Sequence, residues 1–439
     1  MNNSLSLKTR REFLQGSLLA GSLSWTIPAF LSRTITTLHA DPAAATMGRN
    51  ILVLVQLAGG NDGLNTVVPF TNDHYYKARP NLGIRAPQVL KLNDEVGLHP
   101  ALTGLKDLHA SGQLAVWQGV GYPNPNRSHF RSTEIWQTAS ASEINEKHGW
   151  LGRYFDHACA GAEPTVGVSV GRQSPQSFAG PKPLGVSLEQ PETYRFADTD
   201  PAQGNMASGE SFYRHLNRPD MLDSGGEQNT GGTVGAVAGA FATQQSPLDF
   251  LERTALDAQV SSDRIRALNK SSLNRVPYPV SALSNQLKLV ARLIGGGLPT
   301  RVFYVSQGGY DTHTNQSGSH DRLLGELGSA IKAFNEDIKA QGNLDRVMLM
   351  TFSEFGRRVK QNANGGTDHG AAAPLFMVGS KLRQGVHGMA PDLAPDNLKN
   401  GDLKFTTDFR SLYAGVIEQW LGAESKSILK WSGPAARIT

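Results

Sequence analysis

Several short polar clusters in this chain follow apolar runs, and together they hold the residue types that bind a divalent cation. Asn61-Asp62 follows the run 51–58 (ILVLVQLA). Arg127-Ser128-His129-Phe130-Arg131 comes after the run 114–120. Asp311-Thr312-His313 comes after 301–306 (RVFYVS). Ser353-Glu354-Phe355-Gly356-Arg357 follows 346–352 (RVMLMTF), and Thr367-Asp368-His369-Gly370 lies a little beyond. Carboxylate oxygens and imidazole nitrogens suit Zn²⁺, Mn²⁺ or Mg²⁺. The sole cysteine, Cys159, rules out an internal disulfide and a multi-cysteine metal site, so a metal here must use oxygen and imidazole ligands.

The candidate ligands are Asp62, Asp311, His313, Glu354, Asp368 and His369. Asp311 and His313 lie two apart, so in an extended loop they face the same way. Asp368 and His369 follow the glycine-rich Asn364-Gly365-Gly366. Each residue also has a plainer reading: Asp62 between glycines can shape a turn, and Glu354 can pair with Arg357 or Arg358 on a helix face. Ser128 opens a predicted helix over 130–139. A helix N-terminus favours an anion or an activated oxygen, which makes Ser128 the candidate nucleophile, with Ser132 and Thr133 as rivals. The same position also suits a helix N-cap. Arg131 and Arg410 are candidate clamps for an anionic group, or structural ion pairs. His320 is a candidate support for a ligand, whereas His99, His148 and His387 read as surface or packing residues.

The elements that must position these groups alternate along the chain. Strands are predicted at 51–58, 114–120, 166–170, 301–306, 346–352 and 374–379. Helices are predicted at 99–111, 130–139, 247–270, 281–294, 323–341 and 408–421. Such alternation argues for an α/β domain with a largely parallel sheet, and in these sheets ligands sit at the carboxyl ends of the strands. Residues 172–239 are rich in Gly, Pro, Ser and Gln and read as an insertion, loosest at 224–239.

The N-terminus has a different character. Arg10-Arg11 with Phe13 and Leu14 precedes a mildly apolar stretch, 16–31, that is too short and polar to span a membrane. This pattern predicts a twin-arginine signal peptide over residues 1–40, cleaved after Ala40 or Ala45. It implies the twin-arginine translocase as a partner and a periplasmic or extracellular mature protein, a single domain over 41–439. Removing a segment of net charge +3 from a chain of net charge +4 leaves +1, so charge gives no argument for nucleic acid.

The segments LVQLAGGNDGLNTVVPF, GYPNPNRSHFRSTEIWQ, SQGGYDTHTNQ, MTFSEFGRR, GGTDHGAAAPLFMVG and TTDFRSLYAGVIEQWLG resemble a bacterial family, the domain of unknown function family 1501. That family is grouped with the alkaline phosphatase–sulfatase superfamily. The resemblance implies an alkaline phosphatase-like three-layer α/β/α domain with metal at the strand ends. It implies Asp62 as the ligand after the first strand, Ser128 as nucleophile, and Asp311 with His313 as later ligands. Where the superfamily carries an Asp-His pair, this chain reads Glu354-Phe355, so the carboxylate is longer and the imidazole is gone. His369 resembles a later histidine, or Asp368-His369 replaces the lost pair. The implied cofactor is a divalent metal, zinc first, then manganese, magnesium or calcium, and the implied substrate is an anionic ester. Two functions follow as expectations: an exported metal-dependent hydrolase of phosphate or sulfate esters, or a non-catalytic envelope protein that binds an anionic glycan or a protein partner.

Overall fold

The computed structural model describes residues 49–171, 174–182, 184–192 and 260–439. The export signal expected over 1–40, the loose stretch at 224–239 and the first part of the helix expected over 247–270 lie outside them; residues 260–271 are helical.

The first strand, β1 (Ile51–Leu57), is buried along its whole length, as a strand covered on both faces must be. Its side chains alternate between two cores. Ile51, Val53, Val55 and Leu57 face one, and Leu52 and Leu54 face the other. The remaining strands of the main sheet are β2 (Leu114–Gly121), β3 (Gly167–Val170), β4 (Val186–Leu188), β5 (Val302–Gln307), β6 (Val347–Phe352), β7 (Ala373–Val378), β8 (Gly385–His387) and β9 (Thr407–Asp408). Their order is β8-β2-β7-β6-β1-β5-β3-β4, with β9 also beside β2. Among these strands β7 alone runs against the rest.

Helices cover both faces. The principal ones are α1 (Thr103–Ala110), α2 (His129–Thr138), α3 (Trp150–Ala158), α4 (Ala282–Gly295), α5 (Gln316–Ala340), α6 (Phe409–Gly415) and α7 (Ser425–Leu429). Leucines of α1, α4 and α5 pack on the Val53 face, while Trp136 of α2, Phe155 of α3 and Tyr413 of α6 pack on the Leu54 face. The molecule is therefore a three-layer α/β/α domain with a largely parallel sheet. A separate three-stranded sheet (Val67–Val68, Gly97–Leu98, Leu90–Lys91) has a small core of its own around Leu64, Phe70 and Tyr75.

The helix expected over 99–111 starts at Thr103, helix α3 and strands β4, β8 and β9 add to the expected elements, and three further differences bear on the site. Helix α5 starts at Gln316, seven residues before the predicted start, because its first turns (QSGSH) carry no apolar periodicity. The strand at 374–379 is antiparallel to its neighbours. The closing helix changes to a π-helix over Val416–Leu421 and stops at Gly422, which has φ +73°.

The parallel trio β6-β1-β5 brings three loops to one edge of the sheet. Because β7 is reversed, the residues before it, Asp368 and His369, arrive at that same edge. The loops after β1 and β5 are in close contact. At Gly59 φ is +120°, and a Cβ would lie 2.4 Å from the Asp311 nitrogen. Gly59→Ala should therefore cost about 2–4 kcal/mol in urea unfolding, from the backbone conformation and the clash together. A loss within about 0.5 kcal/mol, typical of a surface change, would contradict this packing.

Candidate metal centre

Asp311, in the loop after β5, sits among three imidazoles, His313 from its own loop and His129 and His369 from two other segments. Its Oδ1 is 3.0 Å from His313 Nε2 and 3.1 Å from His369 Nε2, and its Oδ2 is 3.4 Å from His129 Nε2. The Nε2 atoms of His313 and His369 are 2.9 Å apart. Each ring is held through its other nitrogen. His129 Nδ1 is 3.0 Å from Glu354 Oε1, His313 Nδ1 is 3.2 Å from Asp368 Oδ1, and His369 Nδ1 is 2.8 Å from the Arg127 carbonyl oxygen.

A carbonyl or an ionised carboxylate only accepts hydrogen bonds, so each Nδ1 carries the hydrogen. Asp311 is itself an acceptor, so without a cation an Nε2 that contacts it must carry a proton, whereas with a cation bound all three Nε2 lone pairs would face the shared ion. Two N–H groups cannot oppose each other across 2.9 Å, so at least one of His313 and His369 presents a bare nitrogen to the other. Electron-rich atoms gathered in this way suit a shared cation. Histidine ligands to metals are typically oriented by donating the second ring N–H to a carboxylate or carbonyl. Donors at 2.0–2.1 Å from a tetrahedral zinc are about 3.4 Å apart, close to the spacing here. Ligand atoms of His129, Asp311 and His369 all lie within 4.8 Å of one another.

The surroundings fix this arrangement. Glu354 is buried at the end of β6, and its Oε1 also accepts the Gly59 N–H at 2.8 Å. Arg357 is fully buried. It donates to Asp311 Oδ1 at 2.8 Å, to the carbonyls of Gly60, Thr367 and Tyr310 at 2.7, 2.8 and 2.9 Å, and to that of Gly59. One guanidinium thus ties together the loops after β1 and β5 and the segment before β7. Partial burial opposes ionisation of Asp311, but hydrogen bonds from Arg357 and His369 and the charges of Arg357 and His313 outweigh it. They hold its pKa at about 2. The Phe355 ring packs on His129 and His369, with centroids 4.9 and 4.5 Å apart.

The protein-family model that matches residues 49–430 is described as protein of unknown function (DUF1501). The chain belongs to the DUF1501 family. No curated protein matches this DUF1501 chain. Solved structures similar to it include the PsFucS1 sulfatase from Pseudoalteromonas sp., at 9% identity and TM-score 0.33, covering 87% of this chain and 75% of that one. A protein in the alkaline phosphatase superfamily from Vibrio parahaemolyticus matches at 9% identity and TM-score 0.33, covering 79% and 64%. The lipoteichoic acid synthase LtaP from Listeria monocytogenes matches at 10% identity and TM-score 0.32, covering 84% and 77%.

The structure of this DUF1501 protein brings Asp311, His313 and His369 together, with Glu354 and Asp368 behind two of the histidines. Glu354 and Asp368, expected as ligands, instead hold His129 and His313 by their Nδ1 atoms. Asp62 does not join the group. It is wholly buried and forms an ion pair with Arg79, and Gln316 donates to the same carboxylate oxygen. Asp62 immediately precedes the short helix Gly63–Thr66, and its carboxylate meets Arg79.

Ser128 is exposed and precedes α2 without capping it by its side chain. Of its rivals, Ser132 is buried and hydrogen-bonded to Tyr122 and to the Glu354 carbonyl. Arg131 is not free to clamp an anion, because it donates to the carbonyls of Ala141, Ser142 and Ile144 and pairs with Glu134. Arg410 pairs with Asp408. His320 touches Asn61 rather than a ligand, and burial pushes its pKa down to about 4.

The residue the sequence reading left without a role is His129. Its signal was present: an imidazole directly after Ser128 in a cluster downstream of a buried strand.

Burial alone would raise the pKa of Asp62, but the charge and hydrogen bond of Arg79, with help from His320 and Gln316, pull it below 3.8. Its contribution to stability is therefore complete above the unfolded pKa and is lost as pH falls through the lower folded one. Asp62→Asn should lose about 3–5 kcal/mol at pH 7, since it leaves a buried guanidinium unpaired. Urea unfolding followed down to about pH 2 should show the gap to the wild type narrowing below about pH 4. A gap constant across that range would contradict the pairing.

Proposed function

We propose that this protein is a metal-dependent hydrolase of phosphate or sulfate esters, with the cation held by His129, Asp311, His313 and His369. The observation that carries the reading is the convergence of three Nε2 atoms on Asp311, each ring being fixed through Nδ1 by an acceptor. The donor set favours zinc, then manganese, magnesium or calcium. Such a cation would polarise an ester oxygen and make a neighbouring hydroxyl or water more acidic.

The chain's own groups divide the remaining work. Asp311 stays ionised well below neutral pH, so its charge is always available to the centre. Glu354, buried and held by the Gly59 amide, keeps the His129 proton on Nδ1. Ser128 is the candidate nucleophile, one residue from His129 and at the N-terminus of α2, where the helix dipole favours a developing anion. Its Oγ would bond to phosphorus or sulfur as the ester oxygen departs with the electron pair and takes up a proton. Water would then cleave the seryl ester and free the acid.

Elemental analysis of the protein folded in the cytoplasm should find close to one divalent cation per chain. His129→Ala should lose it, and Glu354→Gln should bind it about 10–100-fold more weakly. Ser128→Ala should keep the metal and lose turnover of aryl phosphates or sulfates. A metal-free wild type with an intact fold would overturn the reading, and full turnover by Ser128→Ala would move the attack from serine to water.

We also infer export by the twin-arginine route, supported by Arg10-Arg11 and the short, mildly apolar stretch after them. No helix of the described residues is long and apolar enough to cross a membrane. In cell fractionation the wild type should appear in the periplasm or medium, and Arg10→Lys with Arg11→Lys should stay in the cytoplasm. Equal distribution of the two forms would refute the route.

A further inference from the structure

Beside the histidines lies a second charged cluster. Asp402 is buried, with its side chain only 4% exposed, in a tight turn with positive φ at Asn400 and Gly401. Two guanidiniums converge on it. Arg127 Nη2 donates to Asp402 Oδ2, and Arg358 Nε lies 3.8 Å from Asp402 Oδ1. That second distance is too long for a hydrogen bond, and Oδ1 is a buried oxygen without a hydrogen-bond partner among the described residues. One carboxylate thus faces two permanent cations, which leaves one positive charge in excess.

Both arginines remain partly open to solvent, at 39% and 34% exposure. Apart from the Asp402 contact, Arg127 donates no side-chain hydrogen bond among the described residues. Arg358 gives one, from Nη1 to the Asn400 carbonyl at 3.1 Å. Most of their forked N–H groups are therefore free. The backbone fixes both residues to the centre: the Arg127 carbonyl accepts from His369 Nδ1, and the Arg358 amide donates to the Asp368 carbonyl. By contrast, Arg131 and Arg410 have their donors committed to the protein.

We propose that Arg127 and Arg358, braced on Asp402, form an anion subsite at the rim of the metal centre. It would take a second sulfate or phosphate group on the substrate. The inference rests on the hydrolase reading for its biological sense, and it narrows the substrate to esters carrying more than one anionic group, such as a multiply sulfated or phosphorylated polymer. Guanidinium matches such groups because its planar fork meets two oxygens at once. Asp402 both positions the arginines and competes with the ligand for them.

That competition gives a test with opposite signs. The full chain, as purified with its metal, is titrated with inorganic sulfate by calorimetry, and its metal content is measured alongside. Arg127→Gln should weaken sulfate binding about tenfold, the effect of one lost charge-assisted contact, and should retain its metal because the carbonyl that holds His369 is unchanged. Arg127→Gln with Arg358→Gln should abolish binding. Asp402→Asn, which keeps the shape and removes the competing charge, should bind sulfate several-fold more tightly.

A purely structural cluster would instead give Asp402→Asn a lower melting temperature and no gain in sulfate affinity, and that result overturns the subsite. So does wild-type sulfate affinity in the double arginine variant. If the wild type carries no metal yet the arginine and Asp402 variants shift sulfate affinity as described, the hydrolase reading fails and the subsite stands. If metal and turnover are present while sulfate affinity ignores all three changes, the subsite fails alone.

Discussion

Asp311 is ionised at any physiological pH, with three imidazole Nε2 atoms around it, and each ring gives its Nδ1 proton to an acceptor on the far side. Glu354, Asp368 and the Arg127 carbonyl accept those protons' hydrogen bonds, and none of them can donate back while both acids are ionised. The ligand atoms of the site therefore crowd around Asp311, where the permanently charged group in contact is Arg357, on one oxygen of Asp311. Concentrating acceptors in this way costs free energy unless a cation joins them. The architecture around the site can be understood as what is needed to hold this constellation in place.

The sheet does most of that work. A parallel β6-β1-β5 trio places three loops side by side, and the reversed β7 adds a fourth segment at the same edge. Helix α2 starts with His129 and leans its apolar residues on the Leu54 face, so the position of that imidazole is set by core packing rather than by a free loop. Arg357 then joins the loops through their carbonyls. Asp62 and Arg79 form a separate buried pair nearby, which steadies the turn after β1 without contributing to the centre.

Much of this was legible in the sequence. Continuous apolar runs announced the central strands because buried parallel strands have no polar face, and alternation with helices announced the layers. The clustering of acids and histidines after those runs marked the edge where they meet. What could not be read was which carboxylate touches what. Glu354 and Asp368 have the same chemistry as a ligand, and only the structure places them against the Nδ1 atoms of His129 and His313. Asp62 looked like a ligand because its partner Arg79 lies seventeen residues on, in a segment with no motif. His129 was not legible as a ligand because it sits beside Ser128, the residue that matches the expected nucleophile, in a single short cluster. The start of α5 was missed because its first turns are polar on every side.

The most direct test of the account is X-ray absorption at the metal edge of protein purified after cytoplasmic folding. The centre described here predicts a first shell of nitrogen and oxygen donors with the outer-shell scattering of three imidazole rings, reduced to two rings in His129→Ala if that variant is loaded in excess metal. A shell made only of oxygen donors, or a spectrum unchanged by His129→Ala, would contradict it.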